Sequence, residues 1–322
     1  MRRPCTQVLD RGRRELLRGL GIGAALAGFG GLRALHAQSS ATSLTTTSLR
    51  GDGLVQIGGA GGNVVVLHGS EGLLLVDSGA ADRASDLTKL IAAQVGSMPV
   101  RVLFNTHWHL DHTGGNDTLV RDGVTVVSHE NTRLWMSTKF FVDWENRRYF
   151  PRAAAALPNK TFFSHEHQPQ EVDFGGTKVL YGHLPGAHTD GDIFVSFPEH
   201  NVIAAGGVVT ADEYPILDYI TGGWIGGIVD ATKRLITMAD SNTLIVPSTG
   251  PPRRRADLEA QLEMLETVRE RIEAIALQGR GVQDMLDENI TKDYDARYRG
   301  DSALFITNVY EGGWWRLRGT VA

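Results

Sequence analysis

A segment that follows the apolar run Val100–Phe104 contains three histidines and one aspartate within six positions. The run is rich in β-branched residues and predicts a buried strand, so the segment begins where a strand ends. Alternate side chains of an extended chain point the same way, so His107, His109 and Asp111 are expected to converge. His112 then faces a neighbouring site. Imidazole and carboxylate donors suit zinc or a similar divalent ion, and a solvated turn is the alternative interpretation.

The run His107–His112 has the order His-x-His-x-Asp-His, and it resembles the signature of the metallo-β-lactamase-fold hydrolases. The segments Leu75–Gly79 and Leu184–Asp192 support this resemblance, which extends over residues 51–251. It implies an α/β fold in which two sheets lie between helical layers, a four-layer αββα sandwich. The segment at Tyr214 and the end of the chain further resemble exported zinc hydrolases found beside sulfur-oxidation and quinoprotein systems.

The resemblance places the third histidine of the first metal site at His188, so zinc is expected on His107, His109 and His188. It also implies a metal-activated water, which Asp111 orients or deprotonates. His112 is expected to donate to the developing oxyanion or to the leaving group. This chemistry fits a small-molecule carbonyl substrate, such as a β-lactam, lactone, ester or thioester.

Relatives that hold two metals carry a bridging aspartate and a last histidine that are missing here. Gly207 stands at the bridging position and Thr249 at the histidine position. The second site keeps Asp111 and His112, and two protein ligands are usually too few to hold zinc tightly. One tightly bound zinc ion is therefore expected, with a second, weak ion possible. One alternative is that a larger neighbour, Tyr214 or Trp224, fills the space beside Gly207.

Several polar residues near these motifs are expected to support the site without binding metal. The resemblance implies that Asp77 supports the metal loop through hydrogen bonds. His183 is expected to hold a turn, and Asp190 and Asp192 are expected to be turn residues or to bond to the ligands. Asp212 is the candidate substitute for the missing carboxylate, although its context favours a loop residue.

Two other segments leave alternatives open. The aromatic segment around Trp135, Phe140 and Trp144 either belongs to the core or lines a substrate cleft, and its helical spacing favours the core. His165 and His167 imitate a ligand pair, but no acidic partner stands beside them, which favours a surface strand.

Composition excludes several classes of function. A net charge of −5 argues against a broad nucleic-acid surface, which needs many phosphate contacts from Lys and Arg. The only cysteine is Cys5, within a segment that is expected to be removed, so thiol chemistry is not expected. The proportions of hydrophobic residues, 42%, and charged residues, 21%, are typical of a globular enzyme.

The first 37 residues predict a twin-arginine export signal and a periplasmic location. Arg13 and Arg14 precede a short, weakly apolar, glycine-rich run at 19–32. That run is too short to span a bilayer comfortably, so membrane attachment is expected only if the signal stays uncleaved. A basic tail on a cytoplasmic protein is the alternative. Residues 38–50 are expected to be a linker.

The remaining chain is divided into a metallo-β-lactamase-like domain at 51–252 and a helical extension at 253–322, packed on the core. Periodicity predicts a hairpin across Val64–Val76, a helix at Ala84–Val95 and a long helix at Asp257–Gln278. The aromatic end, which includes Trp314 and Trp315, either closes the cleft or contacts another subunit. The oligomeric state is left open.

Together, these features predict an exported zinc-dependent hydrolase with a single three-histidine site and a degenerate second site. The rival hypothesis is a non-catalytic, zinc-binding periplasmic accessory or binding protein that keeps the fold.

Overall fold

The structure, a computed structural model, describes residues 43–51, 53–163 and 168–313. The predicted export signal, the pair His165 and His167, and Trp314 and Trp315 lie outside the described residues. No helix within these three ranges is long and apolar enough to cross a lipid bilayer.

Fourteen strands form two large sheets and one small hairpin within the described residues. In chain order, the strands are β1 (Thr45–Ser48), β2 (Leu54–Ala60), β3 (Gly62–Gly69), β4 (Gly72–Val76), β5 (Val100–Phe104), β6 (Thr125–His129), β7 (Phe140–Val142), β8 (Arg147–Tyr149), β9 (Lys160–Phe162), β10 (Gln170–Phe174), β11 (Thr177–His183), β12 (Ile193–Phe197), β13 (Val202–Ala204) and β14 (Leu244–Val246).

The first sheet has seven strands in the order β1-β2-β3-β4-β5-β6-β9, and the second has five in the order β10-β11-β12-β13-β14. The predicted hairpin is β3 and β4, which pair antiparallel. Strands β4, β5, β6 and β9 are parallel neighbours. Strand β1 pairs antiparallel with β2, so residues 45–48 of the expected linker form an edge strand that their Ser/Thr composition did not indicate.

Eight α-helices accompany the sheets within the described residues: α1 (Ala84–Val95), α2 (Leu110–Thr113), α3 (Asn116–Leu119), α4 (Glu130–Met136), α5 (Ile225–Met238), α6 (Arg255–Ala276), α7 (Val282–Asp287) and α8 (Ser302–Glu311). Helix α1 has the predicted bounds. It buries Leu87 and Ile91 and ends before Gly96, whose positive φ of 82° suits glycine. The predicted long helix is α6, shifted by two residues at each end.

Three apolar clusters separate the layers. One lies between the two sheets and includes Val65 and Phe104 from the first sheet and Val195 from the second. Another contains Leu87 and covers the outer face of the first sheet. The third joins the outer face of the second sheet to α5–α8 and contains Leu265. This arrangement is the αββα sandwich that the sequence predicted, with the C-terminal helices packed on it.

The described part of the aromatic C-terminal region packs inside the molecule. Tyr214 stacks on Phe305 of α8 with ring centroids 5.1 Å apart, and its hydroxyl donates to Asp295 over 2.7 Å. Both rings belong to the cluster beneath the C-terminal helices. These aromatic residues therefore stabilise the contact between the C-terminal helices and the second sheet.

The candidate site lies where strands from both sheets end. The loops that follow β4, β5, β13 and β14 meet the turn between β11 and β12 at this edge. Loops at the carboxyl ends of parallel strands often hold functional groups, because the sheet fixes their starting points. The hairpin β7–β8 forms a separate two-stranded sheet beside this edge.

Candidate metal centre

Three histidines from two distant segments meet at the edge of the sandwich. His107 and His109 follow β5, and His188 lies in the turn between β11 and β12. Each offers one ring nitrogen, and these three atoms lie within 4.8 Å of one another. His107 and His188 are buried, and the side chain of His109 is 12% exposed. The structure therefore brings together the three histidines that the sequence predicted as the main ligands.

A buried carboxylate orients His109. Oδ2 of Asp218 lies 3.1 Å from Nε2 of His109, and the Nδ1 atom of His109 lies 2.9 Å from Nε2 of His188. Asp218 also accepts a hydrogen bond from the Thr221 hydroxyl over 2.6 Å. Protein metal sites commonly pair a ligating histidine with such a carboxylate, which fixes the ring and increases its basicity. Asp218 is thus a positioning residue, and its only sequence signal was a carboxylate within the apolar stretch 216–220.

The other two histidines are held in the same way. The Thr106 hydroxyl lies 3.0 Å from Nδ1 of His107, and Nδ1 of His188 lies 2.6 Å from the carbonyl oxygen of Ile216. Both rings therefore turn their Nε2 atoms inwards, towards Nδ1 of His109. Three ring nitrogens that face one point, each ring bonded on its other side, fit a divalent metal ion.

The electrostatics of the cluster favour neutral imidazoles, the form that binds metal. Burial, followed by the neighbouring histidines, holds the pKa of His107 well below its usual value. Burial also lowers the pKa of His188 to about 3. At His109, burial opposes protonation, but the hydrogen bond and charge of Asp218 raise the pKa above its usual value. His107 and His188 are thus neutral ligands. His109 is the third ligand, and its extra proton would be released when a cation binds.

Asp111 and His112 lie on the short helix α2 rather than on extended chain. The alternation of an extended chain ends at His109, because the helix begins at Leu110. The expected extended backbone at Asp111 is therefore wrong, although Asp111 does approach His107. Asp111 and His112 instead form a second group of possible ligands with His107.

His112 is fixed on one side of its ring and unpartnered on the other. Its Nδ1 lies 2.7 Å from Oδ2 of Asp77, whereas its buried Nε2 has no hydrogen-bond partner among the described residues. Burial disfavours the charged ring, but the carboxylates of Asp111 and Asp77 raise the pKa of His112 to about 9. The half-exposed Asp111 has an oxygen 3.5 Å from this Nε2. This geometry allows His112 to donate a proton or to join Asp111 around a second, weakly held cation.

Asp77 holds the metal loop, as the resemblance implied. It is buried at the end of β4, with a positive φ of 63°. Its carboxylate accepts hydrogen bonds from the backbone N–H of Thr106 over 2.8 Å and from the Thr106 hydroxyl over 2.7 Å. Because Oδ2 also bonds to His112, one carboxylate fixes both sides of the loop that carries His107.

The other aspartates serve structural contacts. Asp190 accepts a hydrogen bond from Trp135 over 2.8 Å, and its backbone oxygen lies 2.8 Å from Nε2 of His183. Asp192 accepts from a turn N–H, and burial raises its pKa to about 8. Asp212 pairs with Arg253 over 2.8 Å, away from both groups of possible ligands. Asp212 is therefore a loop residue in an ion pair.

Gly207 faces the first site directly. A Cβ atom added there would lie 2.1 Å from Cδ2 of His188. Tyr214 and Trp224 were the candidates to fill this space, but Tyr214 packs against Phe305 and Trp224 lies against Gly186 and Gly226. The imidazole of His188 occupies the space, so a side chain at position 207 and the present position of His188 exclude each other.

We expect Gly207→Ala to lower the zinc affinity of the protein by about tenfold or more, because the new methyl group displaces a ligand. Titration of zinc against a competing chelator measures this change. Gly281→Ala is the matched control, since no atom lies within 4 Å of a Cβ at that position. Unchanged affinity in a folded Gly207→Ala protein would contradict this account of the site.

An aromatic cavity of about 210 Å³ lies beside the metal loop. Trp108 and Trp135 line it together with Phe140, and the same rings pack in one apolar cluster. Phe141, the next residue, is 43% exposed. The aromatic segment therefore contributes both to a small core and to the wall of a cavity, so neither of the two alternatives is complete.

Comparison with known proteins gives a consistent result. A family profile described as the Metallo-beta-lactamase superfamily matches residues 57–277, a range that includes α6. A metallo-beta-lactamase type 2 from Bacillus cereus is 23% identical over 205 residues, which cover 63% of this chain and 73% of that protein.

Solved structures show the same fold. A metallo-beta-lactamase from Pontibacter korlensis superimposes with a TM-score of 0.53 and 22% identity, over 70% of this chain and 99% of that one. The inverting sec-alkylsulfatase Pisa1 from Pseudomonas sp. superimposes with a TM-score of 0.62 and 14% identity, over 84% of this chain and 51% of that one. The present chain thus spans about half the length of the sulfatase.

Proposed function

We propose that this chain, which belongs to the metallo-beta-lactamase superfamily of metal-dependent hydrolases, hydrolyses a small-molecule carbonyl compound with one tightly held zinc ion. The observation that carries the proposal is the convergence of His107, His109 and His188, each held by a hydrogen bond on its outer side. A zinc ion bound by three histidines lowers the pKa of water to about 7 and polarises a carbonyl group. A β-lactam, lactone, ester or thioester suits that chemistry.

Two side chains next to the histidines supply proton transfer. Asp111 is 50% exposed, so a water or substrate molecule reaches its carboxylate. It is placed to orient the attacking water and accept its proton. His112 directs towards the same region a buried Nε2 that has no hydrogen-bond partner among the described residues, and Asp77 holds its opposite nitrogen. A protonated His112 donates to the developing oxyanion or to the leaving group.

The arrangement of ligands supports a single tight ion. The second group of possible metal ligands shares His107 with the three-histidine group. Among the described residues, its other two members are Asp111 and His112. Gly207 supplies no ligand, and a side chain there would collide with His188. One zinc equivalent is therefore expected to survive dialysis, as elemental analysis can test.

The proposal is tested by assaying the zinc-loaded protein against chromogenic β-lactams, lactones, aryl esters and thioesters. We expect at least one class to be hydrolysed, and the activity to disappear in His109→Ala while circular dichroism shows a folded protein. If protein that retains zinc hydrolyses no compound in the panel, the result would support a non-catalytic zinc-binding accessory protein instead.

Export to the periplasm is part of the proposal, and so is a role beside a sulfur-oxidation or quinoprotein system. The support for export is the pair Arg13 and Arg14 ahead of a short apolar run. Replacing both arginines with lysine should leave the precursor in the cytoplasm, as fractionation and immunoblotting would show. Normal export of this variant would contradict the twin-arginine assignment.

A further inference from the structure

The hairpin β7–β8 forms one wall of the aromatic cavity. Phe140 and Tyr149 are partners across the hairpin, and their rings stack with centroids 5.3 Å apart. Both rings contact Trp108, at 5.0 and 4.7 Å. Trp135 and Met136 of α4 close the opposite side. Rings and a thioether form a wall that suits a flat or bulky apolar group.

Three guanidinium groups surround this apolar cavity. Arg147 lies over the ring of Tyr149 at 4.8 Å, and Arg148 lies over Phe141 at 5.7 Å. Neither pairs with a carboxylate within the described ranges. Arg152 pairs with Asp117, and its Nη1 is buried without an acceptor among the described residues. Three guanidinium groups thus line one apolar cavity, and two of them have no carboxylate partner among the described residues.

The cavity adjoins the candidate metal centre. Trp108 lines the cavity and contacts the ring of His109 edge-on, with centroids 4.3 Å apart. Leu110, on the other side of His109 in the sequence, also lines it. Asp143 in the hairpin turn bonds to Tyr219, the neighbour of the Asp218 that orients His109, so the turn lies beside the loop that supports the metal centre. A molecule that reacts at the histidines can therefore extend into the cavity.

The acidic residues of the hairpin turn bond to tyrosines and not to the arginines. Asp143 accepts a hydrogen bond from the Tyr219 hydroxyl over 2.6 Å, and Glu145 accepts one from Tyr149. Each carboxylate is thus held by a tyrosine, and no ion pair to Arg147 or Arg148 forms within the part of the chain that the structure describes.

We infer that this cavity selects substrates in which a bulky apolar or aromatic group carries an organic oxyanion, either a carboxylate or a sulfur oxyanion. The apolar group lies among Trp108, Trp135 and Phe140, and the oxyanion pairs with Arg147 and Arg148. Guanidinium groups bind oxyanions through charge-assisted hydrogen bonds, and the neighbouring rings limit their hydration. The inference deepens the proposed function, on which it rests, by naming the substrate class.

Calorimetric titration of the zinc-loaded protein with three naphthalene probes tests the inference without turnover. The probes are naphthalene-2-acetate, naphthalene-2-sulfonate and the neutral naphthalene-2-acetamide. We expect at least one anion to bind about tenfold more tightly than the amide, as one charge-assisted contact implies. The preferred anion then identifies the oxyanion as a carboxylate or a sulfur oxyanion.

Variants show where the selectivity arises. The double variant Arg147→Gln, Arg148→Gln should lose most of the preference for the anion, whereas Arg269→Gln on α6, which removes one charge away from the cavity lining, should keep it. Trp135→Ala should weaken the anions and the amide alike, because it removes apolar contact. An anion bound only by zinc would keep its preference in the double arginine variant.

Two results would overturn the inference: equal binding of all three probes by the unaltered protein, or an undiminished anion preference in the folded double variant. If binding depends on the arginines but no β-lactam, lactone, ester or thioester is hydrolysed, the inferred binding site is supported and the proposed function is contradicted. If the protein hydrolyses substrates without preferring anionic ones, and binds no anionic probe, the proposed function stands and only this inference is contradicted.

Discussion

Replacing His188 with alanine is expected to lower the affinity for zinc by more than about a hundredfold, because even the loss of a residue that only supports a ligand costs ten- to a hundredfold. His188 supplies one of three converging nitrogens, and the other two come from a single loop. Its loss therefore removes the one possible ligand in this group, among the described residues, that comes from the second sheet. Hydrolytic activity should fall with zinc occupancy.

The measurement is a competition between the protein and a chelator of known zinc affinity. His68→Ala is the control, since His68 lies on β3 outside both groups of possible ligands. Circular dichroism should show that both variants are folded. Zinc affinity within about threefold of the unaltered protein in folded His188→Ala would show that the ion is held elsewhere.

Replacing Asp77 with alanine is expected to destabilise the fold by about 3–5 kcal/mol, the usual cost of removing one partner from a buried, hydrogen-bonded charged group. Asp77 is 2% exposed and bonds to Thr106 and His112. Alanine leaves those donors without acceptors. It also places a residue without a polar side chain at a φ of 63°, which adds strain.

Urea unfolding of metal-free protein measures this loss without the contribution of metal binding. Asp77→Asn separates the causes, because asparagine tolerates positive φ and its amide oxygen still accepts a hydrogen bond from Thr106. We expect the asparagine variant to lose clearly less stability than the alanine variant. Equal and small losses, below about 1 kcal/mol, would show that the Asp77 contacts do not stabilise the fold.

The elements that the sequence determined are those whose signal is local. Helix α1 and strand β5 have the predicted bounds, because the spacing of apolar residues and the flanking turn residues define them without long-range contacts. The two layers of sheet came from the family resemblance. The ligand candidates His107 and His109 were evident because they are close neighbours in one segment, and His188 was implied by the family resemblance.

The tertiary structure decided which groups surround those histidines. Asp218 is 109 positions from His109 in the sequence and reaches it only when the loop after β13 folds across the edge of the sandwich. The sequence also did not show what lies beside Gly207. No local pattern indicates that the imidazole of His188, from the turn between β11 and β12, fills that space. The spacing argument was also wrong about the backbone at Asp111. Side chains alternate in direction only along extended chain, and the helix α2 begins at Leu110. Residue type, local spacing and the family resemblance thus specified the candidate ligands, and packing between distant segments specified their hydrogen bonds and the directions of their pKa shifts.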